Sequence, residues 1–190
     1  MNGLSQNWKF SEIATLRLSL NILIVYAEPM SIRSFEDFVI RPATNADCVR
    51  VMALISEVLA EFGLPFEPDS KDSDLKDIEI GYLRPGGIFE LIEDRDGNLL
   101  GVYGLFPLTE ETCELRKMYF VPKIRGIGLG RHVLDRAVNN ARRLGFKEIV
   151  LETISVLKQA IRLYTRFGFV PTQTEHPSAR VDQAYIFKLT

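Results

Sequence analysis

Hydrophobic spacing along the chain changes period several times, and each change marks an element. The run FVIRPA (38–43) predicts a short strand that runs into a proline. After it Val51, Ile55, Val58, Leu59 and Phe62 recur at three- and four-residue steps, the period of a helix with one apolar face. Asn45 or Asp47 is placed to cap that helix, and Gly63-Leu64-Pro65 ends it. Residues 64–74, LPFEPDSKDSD, are polar and proline-bearing and predict a loop, and DLKDIEIGYL (74–83) predicts a short second helix. GIFELIED and LLGVYGLFPL predict two strands joined by RDGN, with Asp96-Gly97 as the hairpin turn.

CELRKMYFV (113–121) alternates and predicts a fourth strand. A helix then runs to about Leu144, with Val133, Ala137, Val138, Ala141 and Leu144 on one face and Gly145 as its stop. KEIVLET (147–153) predicts a fifth strand, VLKQAIRLYTRF (156–167) a helix closed by Gly168, and QAYIFKL (183–189) a closing strand after a polar loop. Antiparallel strands come first and a strand–helix–strand–helix unit comes after them. That order predicts an α/β sheet of mixed direction with helices on both faces.

Composition narrows the function classes. The formal charge is −2 and no block of Lys or Arg overrides it, so there is no electrostatic case for a nucleic-acid partner. Cys48 and Cys113 make no disulfide framework and read as reduced, buried thiols of a cytoplasmic protein. His132 and His176 are the two histidines, and without HExxH or a His/Cys cluster no metal is expected. No run approaches the roughly 18 apolar residues of a membrane span, so no membrane partner is expected. The nearest stretch, Leu16–Ala27, is broken by Arg17, Ser19 and Asn21. It faintly resembles a signal-peptide core, but the segment before it is long and carries Glu12. Met30 reads as a natural start, which makes residues 1–29 an upstream extension or an appended element; the domain is expected over 38–190, with 1–37 as an N-terminal extension.

The stretch VPKIRGIGLGRH (121–132) places glycines at alternate positions where a helix should begin. The first turn of a helix leaves N–H groups unpaired, and the helix dipole adds partial positive charge there. Glycine lets the backbone come close to an anion, so a strand leading into such a turn suits a phosphate-bearing ligand. Arg125 and Arg131 flank the turn and can add charge directly. The pattern is not that of a P-loop, and a dinucleotide fingerprint is weak because the spacing is G-x-G-x-G. A glycine-rich helix start without a ligand stays open on these residues alone.

With that turn the sequence resembles the GNAT superfamily of acyl-CoA-dependent N-acetyltransferases. The family signature Gln/Arg-x-x-Gly-x-Gly/Ala stands as Arg125-Gly126-Ile127-Gly128-Leu129-Gly130, after a strand and Val121-Pro122. A second signature, A-x-x-L-Y-x-x-x-G-F, stands as Ala160, Leu163, Tyr164, Gly168 and Phe169. The resemblance covers residues 38–190 and implies a GNAT-type mixed, mostly antiparallel central sheet with helices on both faces. It implies acetyl-CoA as co-substrate, no metal, and acetyl transfer to a primary amine of a small molecule, an amino acid or an amine, by direct attack in a ternary complex. A protein or peptide acceptor and a non-catalytic acyl-CoA sensor are the alternatives. The oligomeric state stays open, a homodimer among the options.

The resemblance also assigns residues. The pantetheine arm would lie in a splay between the fourth and fifth strands, against the backbones of Met118, Tyr119 and Phe120. The pyrophosphate would sit on the N–H groups of Gly126, Ile127, Gly128, Leu129, Gly130 and Arg131, beside Arg125. The N–H of Met118 would face the thioester oxygen and stabilise the oxyanion there. Tyr164 matches the tyrosine that contacts the cofactor and protonates the departing thiolate, the role favoured here; a place in the core, as a member of a helical aromatic stripe, is the alternative. Glu114 falls where some members carry a general-base glutamate, and a solvated glutamate paired with Arg116, or an ordered water as base, stays open. Leu157 stands where many relatives carry an asparagine that contacts the cofactor, and Thr153 or Ser155 is offered instead. On the acceptor side Glu57, Glu61 and Glu79 with Phe62, Phe66 and Tyr82 would suit a small cationic amine, whereas Arg116 beside Glu114 would suit an amino acid. His176, in the segment before the closing strand, reads as a surface residue.

Overall fold

The computed structural model describes residues 37–174, 178 and 180–189. The extension expected at 1–37, apart from Asp37, and His176 therefore lie outside the described residues. Among the described residues seven strands form one sheet: β1 (Phe38–Pro42), β2 (Ile88–Asp94), β3 (Leu99–Pro107), β4 (Thr112–Phe120), β5 (Glu148–Thr153), β6 (Val170–Thr172) and β7 (Gln183–Lys188). Their order is β1-β2-β3-β4-β5-β7-β6. Every neighbouring pair is antiparallel except β4 and β5, which run parallel. The mixed, mostly antiparallel sheet expected from the sequence is what forms.

Three α-helices of the described residues cover it: α1 (Cys48–Glu61), α2 (Leu129–Arg143) and α3 (Lys158–Phe167). The α1 stripe of Val51, Ile55, Val58 and Leu59 is buried on one face, against Phe89, Leu91 and Val102. On the other face Val133, Ala137, Val138 and Ala141 of α2 pack with Leu100, Leu105, Cys113 and Leu115. Strand alternation divides the side chains this way, since successive residues point to opposite faces. A buried polar network also pins α2 to the sheet. Glu90 accepts from Arg136 at 2.6 and 2.7 Å, and Asn140 donates to the Tyr103 hydroxyl at 2.8 Å, with Tyr103 in turn donating to Glu90.

Three expectations needed correction. Neither Asn45 nor Asp47 caps α1 through a side-chain bond. The Asp47 carboxylate instead accepts from the Thr44 N–H at 2.9 Å, and the Asn45 amide donates to Asp77. Residues 74–83 do not make a regular second helix. They form a short turn at Ser73–Leu75 and a wide turn at Glu79–Leu83, in which the Arg84 N–H reaches the Glu79 carbonyl at 2.8 Å. The cause is tertiary: a Cβ at Gly81 would lie 2.5 Å from the Asp74 carbonyl oxygen, and the fully buried Tyr82 donates to Asp74 at 2.5 Å. The segment before the closing strand holds β6, three exposed residues paired to β7.

Two irregularities mark β4. Its parallel pairing with β5 is confined to Thr112–Glu114 against Glu148–Val150. Beyond Glu114 the strands part, while β5 stays paired with β7 through Thr153. The register of β4 against β3 also slips between Val102 and Gly104, opposite Lys117, which has φ 54°. No helix of the described residues is long and apolar enough to cross a membrane.

Candidate active site

Where β4 leaves β5, a cleft of about 1460 Å³ opens. It is walled by β4 from Glu114 to Phe120, by the glycine turn, by Glu152–Ile154 at the end of β5, and by α3. Past Glu114 the β4 edge facing β5 has lost its strand partner. Backbone N–H and C=O groups there need partners, and an extended chain laid along the edge would supply them.

At one end of the cleft the chain turns into α2. Gly126 and Gly128 have φ 81° and 90°, the left-handed region that a Cβ makes costly, and Gly128 is the residue from which α2 starts. A Cβ at Gly130 would sit 3.1 Å from the Leu163 side chain, so the small residue there keeps α3 close to α2. Gly126, Gly128 and Gly130 line the cleft. Leu129 sends its side chain into the core and Ile127 is exposed, so neither side chain enters the cleft. What this end presents is main-chain N–H at a helix start, a good fit to a pyrophosphate.

The two arginines flanking the turn differ. Arg131 is exposed and lines the cleft, its guanidinium 5.6 Å from the Phe167 ring centre. Arg125 is not free to offer charge. Its guanidinium donates to both Glu61 oxygens at 2.6 and 3.0 Å and to the Phe120 carbonyl at 2.8 Å. The expected direct charge from Arg125 is thus already neutralised by a carboxylate on α1.

Midway along the cleft lie Met118, Tyr119, Phe120 and Tyr164. Tyr164 is buried, with its ring against Phe169 at 5.9 Å between centres. Burial, with the neighbouring Tyr119 adding to it, pushes the Tyr164 phenol well above its ordinary value, so the hydroxyl keeps its proton. The two readings of Tyr164 are compatible: its ring packs in the core and its side chain also lines the cleft. Leu157 precedes the first turn of α3 and lines the cleft, as does Thr153. The Ser155 hydroxyl is committed to Asp182 at 2.7 Å.

The far end is charged. Glu114 and Arg116 lie on the same side of β4, and one Glu114 oxygen, Oε2, takes both Nε and Nη2 of the guanidinium at 2.6 and 2.5 Å. That guanidinium stacks 4.1 Å over the Phe106 ring. Behind it sits a cluster the sequence did not single out. Asp72, fully buried, accepts from Lys117 and from Arg180, the latter at 2.6 and 3.3 Å. Lys117 also reaches the Lys71 carbonyl at 2.9 Å and Asp74 at 3.2 Å. Burial alone would raise the Asp72 carboxyl, but the Arg180 and Lys117 bonds outweigh it and hold it below the ordinary range. Three distant segments, the loop before the wide turn, the β4 bulge and the stretch before β7, meet on this one carboxylate.

Of the other acceptor-side candidates, only Glu61 and Phe62 line the cleft. Glu57 faces solvent on α1, Glu79 accepts from Asn45, and Phe66 and Tyr82 pack with the α1-side core. Among the described residues no group of three or more His, Cys, Asp or Glu could hold a metal.

Comparison with known proteins places this architecture. Residues 52–169 match the acetyltransferase (GNAT) family. The uncharacterized N-acetyltransferase YjgM of Escherichia coli is 38% identical over 136 residues, covering 69% of this chain and 81% of that protein. Among solved structures, a GNAT-family acetyltransferase of Staphylococcus aureus superposes with a TM-score of 0.75 at 22% identity, over 80% of this chain and 99% of that one. The protein yncA of Salmonella typhimurium, solved with its cofactor acetyl-CoA, superposes with a TM-score of 0.63 at 23% identity, over 80% of this chain and 94% of that one. The chain belongs to the GNAT acetyltransferase family and is an acetyl-CoA-dependent acyltransferase.

Proposed function

We propose that the protein transfers the acetyl group of acetyl-CoA to a primary amine of a small molecule, by direct attack while both substrates are bound. The observation that carries this reading is the course of the cleft. It runs from main-chain donors at the start of α2, along the unpaired edge of β4, past Tyr164, to an ion pair at Glu114 and Arg116. Acetyl-CoA supplies an activated thioester.

The chain supplies the rest. Main-chain N–H groups from Gly126 to Gly130 and the Arg131 guanidinium hold the pyrophosphate; the Arg131 N–H already donates to the Gly128 carbonyl, and Arg125 is taken up by the Pro122 carbonyl through its N–H and by Glu61 through its side chain. Met118, Tyr119 and Phe120 hold the pantetheine arm through their backbones. The Met118 N–H meets the negative charge that builds on the thioester oxygen. The Tyr164 hydroxyl, kept protonated by its burial, gives its proton to the leaving sulfur. Glu114 takes the proton of the amine through its second oxygen, which lies outside the contact with Arg116.

The test is transfer itself. Purified protein is incubated with acetyl-CoA and a panel of amino acids, polyamines, aminoglycosides and short peptides, and both free thiol and acetylated product are followed. Amine-dependent thiol release with a small-molecule product supports the reading. Release that depends only on peptides, or binding of acetyl-CoA without release, overturns it.

A further inference from the structure

Resting on that reading, we infer that the acceptor is a zwitterion, an α-amino acid rather than a simple amine, and that Arg116 reads its carboxylate. The argument is an elimination among the cations that line the cleft. Arg131 opens α2, and Lys158, Arg162 and Arg166 lie on α3, the two helices that meet at the glycine turn through Gly130 against Leu163 and Arg131 over Phe167. Arg125 is held by Glu61. Lys117 and Arg180 are spent on Asp72, their side chains only 8% and 9% exposed. Lys71 donates to Ser178.

Arg116 differs in three ways. Its side chain is 29% exposed and lines the cleft. Its guanidinium carbon lies 4.1 Å from the Phe106 ring centre, a cation–π contact that holds the group over the ring. Its one carboxylate partner occupies only the Nε side, so the outer edge formed by Nη1 and the far N–H of Nη2 stays outside that contact. An outer edge of that kind is the bidentate face that a carboxylate fits.

Beside it, Glu114 keeps Oε1 outside the same contact. A carboxylate acceptor next to a guanidinium donor is the complement of an ammonium next to a carboxylate. The pair would orient an α-amino acid with its nitrogen at Glu114, the group proposed to take its proton. A polyamine would set a second cation against Arg116 and be repelled, so the pair selects against simple di- and polyamines as well as for amino acids.

The experiment compares matched acceptors: each L-amino acid that is turned over against the amine left when its carboxyl group is removed. The wild-type protein should favour the amino acid in kcat/KM by roughly tenfold to a hundredfold, the worth of one charge-assisted pair. Arg116→Gln should erase the ratio by lowering kcat/KM for amino acids far more than for the decarboxylated amines, with acetyl-CoA affinity unchanged. Arg116→Lys should restore part of it. Equal use of both members of a pair by the wild type, or a ratio that survives Arg116→Gln, overturns this inference and leaves acetyl transfer to small amines standing. Absence of turnover with both members overturns this inference, and absence of turnover across the whole small-molecule panel overturns the proposed function as well.

Discussion

Lys117 buries its ammonium against Asp72, forty-five residues earlier, and among the described residues it alone carries a left-handed φ without being glycine. Such a backbone costs a residue with a Cβ about 1–2 kcal/mol, so something must hold it. Asp72, Asp74 and the Lys71 carbonyl do. The bulge they hold lies between Arg116 and Met118, the residues proposed to read the acceptor and to face the thioester.

Removing Asp72 would leave Lys117 and Arg180 buried side by side with like charge. We expect Asp72→Ala to lose about 3–5 kcal/mol of unfolding free energy, measured by denaturant titration, as expected when one member of a buried ionic cluster is deleted. Asp72 also ties stability to pH. Its carboxyl is held low in the folded state, so its contribution is complete above the unfolded value of about 3.9 and is lost as pH falls through the lower folded value. In Asp72→Asn that acid-dependent part of the stability curve should be absent. An unchanged acid limb would contradict the assignment.

Glu90 offers a contrast. It lies on the α2 side of the sheet, away from the cleft, bonded to Arg136, Tyr103 and Asn140. Glu90→Gln should cost about 1–3 kcal/mol in the same titration. It should leave the KM for acetyl-CoA unchanged. A stability loss accompanied by a raised KM would mean that α2 shifts and carries its N-terminus along.

At Gly128 the backbone and the ligand make separate demands. Gly128→Ala should cost about 1–2 kcal/mol of stability, because φ 90° is unfavourable for any side chain. Gly128→Glu places negative charge at the helix start as well and should abolish calorimetrically detectable binding of acetyl-CoA. Equal affinity in wild type and Gly128→Glu would remove the pyrophosphate from this turn.

Tyr164→Phe separates packing from proton donation, since the ring and its contact with Phe169 are kept. We expect kcat to fall by roughly a hundredfold or more with acetyl-CoA affinity nearly unchanged. Because the phenol is shifted upward from 10.0, the wild-type rate should show no alkaline decline from Tyr164 below that pH. Parallel losses of kcat and affinity in the variant would assign Tyr164 to packing alone.

Most of the frame was legible in the sequence because it is written locally. The stripe Val51–Ile55–Val58–Leu59, the glycine stops at Gly63, Gly145 and Gly168, and the turn at Gly126–Gly130 depend on near neighbours, and all formed where expected. What was missed depends on residues far apart. The wide turn at Glu79–Leu83 arises from Gly81 and Tyr82 packing on Asp74. The short β6 has neither alternation nor burial to announce it. Arg125 looked like a phosphate ligand until Glu61, sixty-four residues away, was seen to hold it. The Asp72–Arg180 contact joins positions 108 residues apart, and no periodicity in one sequence points to such a pair.

The measurement that tests the central claim most directly is amide hydrogen exchange with and without acetyl-CoA. The account predicts added protection at Met118–Phe120, along the free edge of β4, and at Gly126–Arg131, where α2 begins. Protection that falls elsewhere, or binding that leaves both stretches exchanging as before, would contradict it.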